Sequence, residues 1–104
     1  MVEMKVPKRN PTDEDDYKNL SRILTMAFKQ SAEGKGKDRH ANGLPWDDQP
    51  IITIGTEDRG FCTGQARKKC LEAKNLPPDR AIFEILGAIN YLAAEVRILE
   101  MLGE

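Results

Sequence analysis

Apolar positions recur with helical period along three stretches of this chain. From Tyr17 they fall at Leu20, Ile23, Leu24, Ala27 and Phe28, the spacing of an amphipathic helix. Thr12 stands at the N-cap position and Asp15 three residues later in the capping-box slot. Gly34 supplies a stop, so the pattern predicts a helix from 13 to about 32. The acidic run Asp13, Glu14, Asp15, Asp16 lies where a helix dipole favours negative charge, which explains it without a ligand.

A second stripe, Phe61, Cys62, Ala66, Cys70 and Ala73, predicts a helix over roughly 60–74, with Arg67, Lys68, Lys69 and Lys74 largely off its apolar face. Asn75 and Pro77-Pro78 end it. On this reading both cysteines belong to the core. Gly64 inside the helix costs about 1 kcal/mol relative to alanine, so close packing or close ligand approach is expected there.

The third stretch, about 78–102, is apolar on two sides. Ile82, Ile85, Ile89, Leu92, Val96 and Leu99 are spaced 3, 4, 3, 4, 3, a heptad seam. Phe83, Gly87, Tyr91, Ala94, Ile98 and Met101 form another stripe. Two such faces imply burial on two sides. The other two helices suffice for one of them, so the second is expected to meet another copy of the chain, with Gly87 and Ala94 allowing close backbone approach. Asn90 would fix register across that interface or reach the preceding loop.

Between the first two helices runs EGKGKDRHANGLPWDDQP, residues 33–50. Asn42-Gly43 is a turn dipeptide, and Pro45 and Pro50 argue against regular helix. Ile51 to Ile54 read as a short extended piece, a marginal lone strand or an apolar plug. Residues 1–11 are polar and proline-containing, an arm that is disordered or docked on a neighbour. The expected architecture is all-α: three main helices with a long ordered loop between helices 1 and 2, an arm over 1–11 and a single helical domain over 12–104, assembled as a homo-oligomer through helix 78–102.

Composition narrows the function. A chain of 104 residues makes one domain with a small core, for which oligomerisation supplies extra buried area. The formal net charge of −1 argues against coating nucleic acid through bulk positive charge. The N-terminal residues lack an apolar signal region, and no apolar run is long and charge-free enough to cross a bilayer. Cys62 and Cys70 are eight apart, about 12 Å of helical rise, too far for a disulfide. A reduced cytoplasmic protein is the simplest expectation.

The chemistry concentrates in the loop. Gly34-Lys35-Gly36-Lys37-Asp38-Arg39-His40 combines glycines that free backbone N–H groups with cationic side chains, a pattern suited to an anion. It lacks the P-loop pattern and does not join a strand to a helix, so no dinucleotide fingerprint is present. The plain alternative is a solvated loop ending a helix. Trp46 would stack on a base or plug the core. Gln49 would read a base edge or cap a backbone group. If the loop folds over the second helix, Arg67, Lys68 and Lys69 face the same anion.

His40, the only histidine, needs a carboxylate partner to act as acid or base, and Asp38, Asp47 and Asp48 are available. One histidine and no CxxC disfavour a transition-metal site; carboxylates leave Mg²⁺ open. Helical nucleotide pyrophosphohydrolases need an ExxE-plus-ExxD arrangement that Glu84, Glu95 and Glu100 do not make.

Three stretches, GKGKDRHANGLPWDDQP, GQARKKCLEA and EILGAINYLAAEV, resemble in content and order a group of small accessory proteins of tailed bacteriophages. They cover a little over a third of the chain. The resemblance implies a phage-like origin and expression in a bacterial host cytoplasm, and it carries no catalytic residues with it.

The leading expectation is a non-catalytic protein that binds a phosphate-bearing nucleotide and sequesters a cyclic or signalling one as a phage counter-defence. Lys35, Lys37, Arg39 and His40 would hold phosphate, assisted by Arg67 and Lys68 or Lys69, with Trp46 on the base and Gln49 beside it. No cofactor, metal or membrane enters this reading, and nucleic acid is a weak fit. An inhibitor binding a host protein through the basic loop is the alternative. A small hydrolase using His40 with Asp47 or Asp48 is the third reading.

Overall fold

The computed structural model describes residues 14–33 and 43–103. Within them the regular structure is entirely helical. Helix α1 spans Glu14–Glu33, α2 Pro50–Glu57, α3 Phe61–Ala73 and α4 Pro78–Gly103, and a single 3-10 turn covers Trp46–Asp48. Three of these match the helices expected from periodicity to within one or two residues. The proposed N-cap Thr12 and the arm 1–11 lie outside the described residues, as does most of the loop, 34–42.

Helix α2 is the correction. The stretch read as extended, Ile51 to Ile54, is helical, so there are four α-helices among the described residues rather than three. Pro50 does not exclude helix; it occupies the first turn, where its missing N–H costs nothing and its fixed φ suits the helix. Three β-branched isoleucines have only modest helix propensity. Burial outweighs it: Ile52 is completely enclosed, and Ile51 packs against the same cluster.

The core forms where α2 and α3 meet the C-terminal half of α4. Ile52, Cys62, Ala94 and Ile98 have no exposed surface, and Ile51, Phe61, Tyr91 and Met101 pack around them. Phe61 and Tyr91 meet edge to face, with ring centroids 5.8 Å apart. Helices α3 and α4 form an antiparallel hairpin: Phe61 at the start of α3 lies by Tyr91, and Lys69 further along lies by Glu84. The turn between them follows from its prolines. Pro77 accepts from the Ala81 N–H at 2.8 Å, and Pro78 opens α4.

The stripe of α4 that faces inward is Gly87, Tyr91, Ala94 and Ile98, with Phe83 left exposed. Gly87 and Ala94 therefore serve packing within the chain, not the approach of another copy. A Cβ on Gly87 would stand 3.0 Å from Lys69 Cδ and 3.4 Å from Gln30 Nε2, and Ala94 belongs to the central cluster. Helix α1 packs on α4 through Ala27, which is buried. Asn90 donates from Nδ2 to the Ala27 carbonyl at 2.9 Å. It fastens α1 to α4.

Cys70 departs from expectation as well. It is exposed, whereas Cys62 is buried, and both are free thiols. One position further round the helix than the true inner face is enough to put Cys70 in solvent. Gly64 has nothing within 4 Å of its missing Cβ, so no close packing explains it.

Candidate functional site

Lys35, Lys37, Arg39 and His40 lie outside the described residues, and so does Asp38. The described chain lies on either side of them. On the α1 side, Gln30 lies over Gly87, the spot that the aliphatic stem of Lys69 also covers. The side chain of Gln30, in the last turn of α1, therefore reaches the Lys69 stem of α3. On the other side, the chain resumes at Gly43, with a positive φ of 73° that a glycine adopts without strain.

From there the backbone is held by local bonds. Gln49 donates from Nε2 to the Leu44 carbonyl at 2.9 Å, so it caps its own loop and is not turned toward a ligand. The 3-10 turn places Trp46 on the surface, 38% exposed, which rules out the core-plug reading. Asp47 anchors this turn to α4: Arg97 donates from Nε at 3.1 Å to Oδ1 and from Nη2 at 3.1 Å to Oδ2. Arg97 also reaches Glu100 through Nη1 at 3.2 Å. Asp47 is thus committed to a structural pair, which weakens it as a proton-transfer partner for His40. Asp48 remains exposed.

The basic run of α3 does not act as one cluster. Successive helical residues point about 100° apart. Lys69 turns inward and pairs with Glu84 at 3.1 Å. Lys68 is exposed and lies 3.9 Å from Glu72. Arg67 is exposed and has no ion pair among the described residues. Of the three, Arg67 and Lys68 are available to an anion and Lys69 is a strut between helices.

Trp46 and the basic run also sit on different halves of α4. Their anchor points, Arg97 and Gly87, are ten residues apart, about 15 Å of helical rise. The structure does not bring Trp46 against Arg67 and Lys68.

A second charged group escaped the sequence reading. Arg59, just after α2, donates to the Gly55 carbonyl at 2.9 Å and to both carboxylate oxygens of Glu95, at 3.2 Å for Oε1. The Glu95 bond raises the Arg59 pKa further above its ordinary value. Burial pushes the neighbouring Cys62 thiol up, and the Glu95 charge adds to this. This group closes the end of the core. No group of three or more His, Cys, Asp and Glu able to hold a metal occurs among the described residues. No helix among them is long and apolar enough to cross a membrane.

Comparison with family models, with curated proteins and with solved structures finds no match to this chain. The likeness to phage accessory proteins thus rests on the three quoted stretches alone.

Proposed function

We propose that this protein binds a phosphate-bearing nucleotide without turning it over, and that the phosphate end of the ligand is held between segment 34–40 and the outer side of α3. The observation that carries the reading is the meeting of Gln30 and Lys69 over Gly87. It supports the reading because Gln30, four residues before Gly34, meets the helix that also bears Arg67 and Lys68. Guanidinium and ammonium groups around glycine-rich backbone suit phosphate oxygens. Trp46 contributes an accessible ring on the other half of α4, available to a ligand long enough to reach it. The engagement of Asp47 by Arg97 leaves Asp48 as the carboxylate open to the hydrolase reading. Sequestration of a cyclic or signalling nucleotide in a phage-infected bacterial cell is the concrete biological form of this proposal.

The test is native mass spectrometry of the full chain purified from a bacterial host, before and after incubation with a panel of mono-, di- and cyclic nucleotides. A stoichiometric adduct that is lost in Arg39→Ala and weakened in Arg67→Ala is the expected result. No adduct with any member of the panel sinks the proposal and moves the host-protein inhibitor to first place. Conversion of the added nucleotide, abolished in His40→Ala, would instead establish the hydrolase.

A further inference from the structure

Most of the apolar surface that this chain leaves uncovered lies on two adjoining helices. Of the 17 large apolar side chains exposed among the described residues, 13 belong to α1 and α4. The heptad seam of α4 is the outward face. Ile82, Ile85, Leu92, Val96 and Leu99 are between 39% and 58% exposed, and Ile89 is half-buried among them. On α1, Tyr17, Leu20, Leu24 and Phe28 line one side of the helix and are likewise exposed. Helix α1 is tied to α4 at Asn90, so both apolar stripes belong to one packed pair of helices.

The chemistry of this surface selects its occupant. The seam and its flanks carry no charged side chain from Ala81 to Ala94 except Glu84, which is held by Lys69. Further along, Glu95 is held by Arg59, and Arg97 joins Asp47 to Glu100. Charges of the helix pair lie on α1, at Lys18, Arg22 and Lys29, and not on the seam. A two-fold interface sets a patch against itself, which a charged patch opposes and an uncharged one permits. The 3-4 spacing over residues 82–99, about 27 Å of helix, is the pattern that interlocks with a second helix of the same kind.

Area points the same way. The five exposed seam side chains and the four on α1, at on the order of 60 Å² each, offer roughly 540 Å². That suits a small interface that dissociates readily, and it requires α1 as well as the seam.

We infer that the α4 seam, flanked by α1, is the face on which a second copy of this chain docks, helix against helix about a two-fold axis. The inference is independent of the nucleotide proposal.

Sedimentation equilibrium and native mass spectrometry of the full chain across a dilution series test it. An even-numbered oligomer that dissociates on dilution is expected. The double variant Leu92→Glu/Val96→Glu should weaken self-association by roughly two orders of magnitude or more, with helical circular dichroism retained. Leu71→Glu, an equally exposed position on α3, should leave the mass unchanged. A wild-type chain that stays monomeric at every concentration overturns the inference whatever the variants do. So does an oligomer that survives the double variant, or a monomer that uses this face to bind lipid vesicles or another protein.

Discussion

Ile98 presses its terminal methyl group against the backbone of Gly55, with Cδ1 only 2.5 Å from where a Cβ on that glycine would stand. Cys62 Sγ closes the other side at 3.1 Å. Both neighbours have no exposed surface, so neither can swing aside. Gly55→Ala should therefore destabilise the protein by about 1–3 kcal/mol, as overpacking does. Gly64→Ala makes the opposite case, since nothing lies near the added methyl and the position is helical. It should stabilise by up to about 1 kcal/mol. Urea denaturation of the two variants beside the wild type reads both signs, and a stabilised Gly55→Ala would refute the packing of α2 on α4.

The two cysteines should separate cleanly by reactivity. Cys70 is exposed and should react with a thiol reagent in the native protein, while Cys62 should react only as the protein unfolds. Burial raises the Cys62 pKa, so the native state keeps its thiol proton at pH values where the unfolded chain has released it. That contribution to stability is fully present below the unfolded value of about 8.5 and is lost as pH rises through the folded value. Unfolding midpoints measured from neutral to alkaline pH should fall across that window.

Asp47→Asn should release the surface turn without unfolding the domain. The pair with Arg97 is partly solvated, so its loss should cost under about 1 kcal/mol. Trp46, the only tryptophan, is the next residue, and its fluorescence anisotropy should drop. High salt should move the wild type part of the way in the same direction. An unchanged anisotropy would show that the turn is held by other contacts.

Asn90→Ala should loosen α1 alone. It removes the hydrogen bond to the Ala27 carbonyl, worth on the order of 1 kcal/mol. Hydrogen exchange should quicken in α1, most clearly around Ala27. The α3–α4 hairpin, held mainly by contacts between its own two helices, should exchange nearly as before.

The three longer helices were legible because each carries its own signal. Periodicity marked their faces, and Pro77-Pro78 marked the boundary between α3 and α4. Helix α2 was not legible, since a run of four residues, Ile51 to Ile54, fits a strand or a helix equally well by pattern. The one available cue was Pro50 in the N1 position. Of the candidate site, the sequence singled out Lys35, Lys37, Arg39 and His40, which lie outside the described residues, and it grouped Arg67, Lys68 and Lys69 as one cluster. Adjacency in sequence hid the fact that a helix splays consecutive side chains, which left Lys69 bound to Glu84. The partners of Arg59 and Arg97 lie 36 and 50 residues away, a distance no local pattern spans.

The sequence by itself determined that this chain is helical, and that α4 is apolar on two sides, because both are properties of spacing along a single element. Only the tertiary structure decided which of those sides is covered. Small residues made the choice: Gly87 and Ala94 let α3, α1 and α2 approach α4 closely, whereas the bulkier seam from Ile82 to Leu99 holds no such gap and stays outside. Close packing rewards the face on which helix backbones can come nearest.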